Sequence, residues 1–178
     1  MLAIFLVESK SKEHDSDYKY IKSMIDRYYD VRNKISLKTI YMNGKTNYMF
    51  QKKAIKDLVK EYSYFPQNDG KYEVFLCIDI DDMKSAHNSN ETVQLNKKIE
   101  KYSKKENYHI IWFCRDVEEV FLGKQINDKQ KIQEAKKFLK NHLINNINDN
   151  KLLGKDINDL KIGQSNIKTV FDKYFYAN

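Results

Sequence analysis

The chain has little of what disulfide-bonded, zinc-binding or membrane-spanning proteins depend on. Of its 178 residues only two are cysteine, Cys77 and Cys114. Each sits inside an apolar run and neither is spaced as a metal ligand, so buried free thiols in a reducing, cytoplasmic compartment are expected. The four histidines, His14, His87, His109 and His142, are scattered without ligand spacing to one another or to a cysteine, which argues against zinc. Proline occurs once, at Pro66, and glycine five times. There is no Gly-rich phosphate loop and no Gly-x-Ser-x-Gly elbow. No apolar run approaches the roughly 20 residues of a membrane span. Residues 2–7 are too few for a signal peptide and have no basic flank before them, so no membrane partner is expected.

Arginine is scarce too: Arg27, Arg32 and Arg115 are the only ones, and lysine supplies almost all of the formal net charge of +7. That excess favours an acidic partner such as nucleic acid. A solvated lysine surface accounts for the same charge.

Three short runs are apolar almost throughout: LAIFLV at 2–7, VFLCIDI at 74–80 and HIIWFC at 109–114. Unbroken runs of this length, rich in β-branched and aromatic residues, read as strands buried on both faces. Residues 35–42 alternate, with Ile35, Leu37, Thr39 and Tyr41 on one side, and read as a half-buried edge strand. Helical stripes separate the strands. Tyr18, Ile21, Met24, Ile25 and Tyr28 form one, Phe50, Ala54, Ile55, Leu58, Val59 and Tyr62 another, and Leu95, Ile99 and Tyr102 a third. Strands alternating with helices predict right-handed crossovers and a mainly parallel four-stranded sheet, in the order second, first, third, fourth. Beyond Cys114 the pattern is helical. The expected organisation is an α/β domain over residues 1–125 with a helical C-terminal extension, 126–178, packed on it.

Carboxylates mark the ends of the two central strands. Glu8 directly follows the first, and Asp79, Asp81 and Asp82 end the third. A strand hidden on both faces carries acids only where it emerges or where they are paired. In doubly wound sheets ligands bind outside the carboxyl ends of the strands, where strand order reverses. That switch point falls between the first and third strands, so Glu8 and the aspartates face one crevice. Several carboxylates in one crevice repel each other, and a hard divalent cation such as Mg²⁺ relieves this. The plain alternative is that Asp81 and Asp82 cap the next helix or sit in a turn.

LAIFLVES, a helix, then VFLCIDIDD resembles the TOPRIM domain of topoisomerases, primases, OLD-type nucleases and small ribonucleases, a family with a Glu after its first strand and an Asp-x-Asp after its third. HIIWFCRDVEEVFLG is similar to the RloB-like and abortive-infection branch, where an aromatic-rich helix start carries a Glu, here Glu118. The resemblance covers roughly the first 125 residues. Ser9 stands where the family often has Gly, and Arg115-Asp116 where the branch usually has Asn-Pro. The resemblance implies a Rossmann-like TOPRIM fold with Glu8, Asp79 and Asp81 as catalytic residues. It also implies Glu8, Asp79, Asp81 and Asp82 around Mg²⁺ or Mn²⁺, Glu118 as an accessory, and a setting in bacterial defence against phage, with another defence protein as partner.

Lysines supply a second signal. Lys97, Lys98, Lys101, Lys104 and Lys105 share one helical face. With Lys10 beside Glu8, they would hold a DNA or RNA backbone sequence-independently. An amphipathic helix with an ordinary wet side has the same spacing. The functional expectation is a Mg²⁺-dependent nuclease. The alternative is a catalytically inactive TOPRIM-like nucleic-acid-binding or regulatory module. A phosphoacceptor receiver domain fits less well, because its first strand usually ends in an acidic pair and this one offers only Glu8.

Overall fold

In a computed structural model that describes residues 1–31, 35–81 and 89–176, four parallel strands form one sheet. They are β1 (Leu2–Val7), β2 (Ser36–Tyr41), β3 (Tyr72–Asp79) and β4 (His109–Phe113), in the order β2-β1-β3-β4. This is the predicted order, and it sets the switch point between β1 and β3. The register pairs Phe5 with Phe75, and Asp79 with Phe113.

Period-two alternation divides the strands between two cores. Ala3, Phe5, Val7, Phe75, Cys77, Ile111 and Phe113 face one side. Leu2, Ile4, Leu6, Val74, Leu76, Ile78 and Trp112 face the other. Both sides are covered, so β1 is fully buried along its length and its sequence shows no polar alternation.

Helices α2 (Lys52–Ser63) and α3 (Ser89–Glu106) cover the second side, placing Ile55 and Ile99 in its core. The first side is covered by α1 (Asp17–Tyr28), α4 (Val117–Leu122), α5 (Asp128–Lys140) and α6 (Ile167–Phe171). Ala135 and Phe138 of α5, and Phe171 and Phe175 at the C-terminal end, join the same cluster as Phe5 and Phe75. The β4 edge is partly closed by Asn166, whose amide accepts from the Trp112 N–H (2.7 Å) and donates to the Ile110 carbonyl (3.1 Å).

One stripe residue departs from expectation. Phe50 is 73% exposed, whereas Ile55 is buried. The chain from Lys45 to Gln51 is a 3-10 helix and α2 begins only at Lys52. Three residues per turn rotate Phe50 off the face that a continuous α-helix would bury.

Candidate functional site

Glu8 leaves the end of β1 and Asp79 ends β3, on neighbouring parallel strands. The Asp79 N–H donates to Glu8 Oε1 at 2.8 Å, which holds the first carboxylate against the backbone that carries the second. Burial is the main cause that lifts the Glu8 carboxyl from its usual range to about 7. The Asp79 N–H and Lys45 work against this, while Asp17 and Asp81 add to it. Burial likewise pushes Asp79 well above the carboxylate range, reinforced by Glu8, Asp17 and Glu118 and opposed by Lys131. The crevice therefore holds a proton near neutrality where two exposed acids would hold none.

The loop after β2 shapes one wall. Gly44 donates its N–H to the Glu8 carbonyl (2.8 Å) with a φ of 100°, a conformation that suits glycine. The turn sends Lys45 across β1, where its ammonium donates to the Asp79 carbonyl (2.9 Å) and pairs with the Asp81 carboxylate. Asp81 thus sits beside the crevice in an ion pair, with its side chain 55% exposed. Asp82 lies outside the described residues.

The N-terminus of α1 supplies Asp17, which the sequence reading did not single out. Its carboxylate accepts from the Ser9 N–H (3.2 Å), the Ser9 hydroxyl (2.9 Å) and the Ser16 hydroxyl (3.0 Å). Ser9, at the position where glycine was expected from the family pattern, fixes this third acid next to Glu8.

The fourth acid is Glu118, fully buried in the first turn of α4. Its charge partner is Lys131 of α5, 3.2 Å away. Burial raises the Glu118 carboxyl and Lys131 opposes that rise. Burial also works against the Lys131 ammonium, but Glu118 and Asp79 outweigh it and keep it protonated. Glu8, Ser9, Lys10, His14, Asp17, Asn43, Asp79, Asp128 and Lys131 line one cleft of about 440 Å³. Lys45 and Lys131 were not foreseen. They are two lysines among many, and nothing in their spacing marks them.

Among the described residues, no three His, Cys, Asp or Glu side chains converge as a ready cage for a metal ion. Mg²⁺ asks for less, since one or two carboxylates suffice when water and phosphate complete the octahedron. The crowded Glu8 and Asp79 carboxylates, with charge that burial penalises, are a donor set of that kind.

The lysines of α3 are exposed at 97, 98, 101, 104 and 105. Asn96 donates to the Ile80 carbonyl (3.5 Å), so the stripe starts level with the carboxyl edge of the sheet. It then descends the flank for about 12 Å at 1.5 Å per residue. It runs on the α2/α3 side, opposite α5. No helix among the described residues is long and apolar enough to cross a membrane.

The chain matches no protein-family model, no curated protein and no solved structure.

The raised Glu8 carboxyl predicts a pH-dependent stability. Its folded value, about 7, lies above the ordinary 4.5 of a free glutamate, so between these limits the folded state binds the extra proton. That stabilisation is complete below about pH 4.5 and is lost as pH rises through 7. Metal-free protein should therefore unfold at lower urea at pH 8 than at pH 5.5. Glu8→Gln, which can still accept from the Asp79 N–H, should flatten the difference. An equal pH slope in both proteins would mean that Glu8 titrates normally.

Proposed function

We propose that this chain is a Mg²⁺-dependent phosphodiesterase that hydrolyses DNA or RNA, built on a TOPRIM-like version of the Rossmann-like sheet. The observation that carries the reading is the half-buried pair of carboxylates, Glu8 and Asp79, at the switch point of an all-parallel sheet. In this reading Glu8 and Asp79 hold the divalent ion, which supplies an activated water and charge stabilisation at the phosphate. The ion takes the ionised carboxylate, so its binding displaces the proton that burial holds on Glu8. Lys10, His14 and Lys131 line the cleft and supply donors for phosphate oxygens. Asp17, locked by Ser9 and Ser16, keeps the field negative without leaving its place. A role in anti-phage defence, with a partner from the same system, belongs to this reading through the family resemblance.

A second reading has one observation in its favour. The Asp81 carboxylate is engaged by Lys45, so an acid that the resemblance assigns to the metal is already paired. That suits a TOPRIM-like module that binds nucleic acid and has lost catalysis. Incubating the purified chain with single- and double-stranded DNA and RNA, in Mg²⁺ or Mn²⁺ and then in EDTA, separates the two. Cleavage in metal alone is expected. Binding without cleavage of any of the four substrates would favour the inactive module.

The α3 stripe belongs to binding in either case. Lys97→Glu, Lys101→Glu and Lys104→Glu together should weaken affinity for nucleic acid and reduce the salt slope by roughly 2–3, about 0.9 per lost phosphate contact on duplex DNA. A titration series from 50 to 200 mM salt reads this. An unchanged slope would return the stripe to an ordinary solvated face.

A further inference from the structure

Lys131 lies beyond the segment that carries the family resemblance, yet its ammonium enters the acidic cleft. Its side chain is 26% exposed and lines the same cleft as Glu8 and Asp79. Glu118 opposite is 0% exposed, and neither of its oxygens has a well-formed hydrogen bond. Its compensation is the Lys131 ammonium, 3.2 Å away. The helix that delivers Lys131 is anchored. Ala135 and Phe138 of α5 are buried, and the Phe138 ring packs on Tyr20 (4.9 Å between centroids) and on Phe121 (5.9 Å).

Two-metal sites place their ions about 3.5–4 Å apart and share charge neutralisation between them. Here the cleft already carries a cation that cannot dissociate, the Lys131 ammonium. We propose that Lys131 is a built-in second cation, so that the cleft takes one divalent ion, at Glu8 and Asp79, while the Lys131 ammonium meets a phosphate oxygen of the bound phosphodiester. This rests on the reading of Glu8 and Asp79 as a divalent-metal site. The Lys131 ammonium stands 3.2 Å from Glu118 and 3.8 Å from the exposed Asp128, and with three protons it keeps a donor for the cleft. Glu118 is then a positioning residue: it aims Lys131 and touches neither the ion nor the substrate.

The proposal is tested by counting bound Mn²⁺ per chain by electron paramagnetic resonance, on the full chain without nucleic acid. Wild type should bind one ion. Lys131→Gln should bind two, because Glu118 is released to join Asp79 around a second ion. Lys131→Arg, which keeps the charge, should bind one. Two ions in wild type, one in Lys131→Gln, or two in Lys131→Arg would overturn the inference and leave the metal site standing. No bound ion in wild type would overturn the metal reading itself, and this inference with it. If Lys131→Gln fails to fold, the counts for wild type and Lys131→Arg still decide.

Discussion

Asp79→Asn should abolish metal-dependent cleavage of nucleic acid and raise the thermal midpoint of the metal-free protein at pH 8. The two effects share one electrostatic cause. Asp79 sits among Glu8, Asp17 and Glu118, and burial together with these neighbours makes its charge costly. Asn keeps the shape and one carbonyl oxygen but removes that charge, so the metal-free fold is relieved of repulsion. A hard divalent ion needs the same charge. Losing one of two carboxylate ligands should cost several kcal/mol of metal affinity or transition-state stabilisation, and each ~1.4 kcal/mol is a factor of ten in rate. A fall of at least about a thousandfold is expected. Asp79 is a cleaner target than Asp81, whose partner is Lys45 and whose removal would also leave that ammonium with the Asp79 carbonyl but no carboxylate. If Asp79→Asn cleaves as wild type does, the carboxylate pair is not the catalytic centre. If it unfolds the protein, Asp79 is a structural acid and the phosphodiesterase reading loses its main support.

The largest loss of stability should come from Phe171→Ala, at about 3–5 kcal/mol. Phe171 is fully buried. Its ring meets Phe5 (5.9 Å, 84°) and Phe75 (5.4 Å, 90°) edge-on, and it lies 4.8 Å from Phe175. The C-terminal segment thereby fills the centre of the α1 side of the sheet. The thermal midpoint should fall by on the order of 10 °C, at about 2–4 °C per kcal/mol for a chain of this size. Phe50→Ala, at a position 73% exposed, should change stability by less than about 0.5 kcal/mol. Urea unfolding of the three proteins at one pH makes the comparison. Equal midpoints for the two variants would show that residues beyond α5 do not share the core.

Strand identity was legible because burial leaves a local mark: LAIFLV, VFLCIDI and HIIWFC have no polar alternation, and the first two became the central strands β1 and β3, while the third became β4, the edge strand opposite β2, with His109 and Ile110 only half-buried. The half-alternating run at 35–42 became the edge strand β2. Strand order followed from chain connectivity and crossover handedness. The acids Glu8 and Asp79 were readable because a charge at the end of an apolar run has few places to go. Phe50 was misplaced because periodicity does not distinguish a 3-10 turn from the first turn of an α-helix when both are short.

What the sequence determined by itself was the class of the fold, its strand order and the edge of the sheet where the acids gather. All three depend on patterns between near neighbours in the chain. Only the tertiary structure decided the rest of the cleft: Asp17 locked by Ser9 and Ser16, Lys45 drawn over β1 onto Asp81, and Lys131 set against Glu118 from a helix that follows the sheet. A lysine in a lysine-rich chain carries no mark of its partner. An ion pair is chosen by distance and burial in three dimensions, where Coulomb energy grows as water is excluded, and none of that is written in residue spacing.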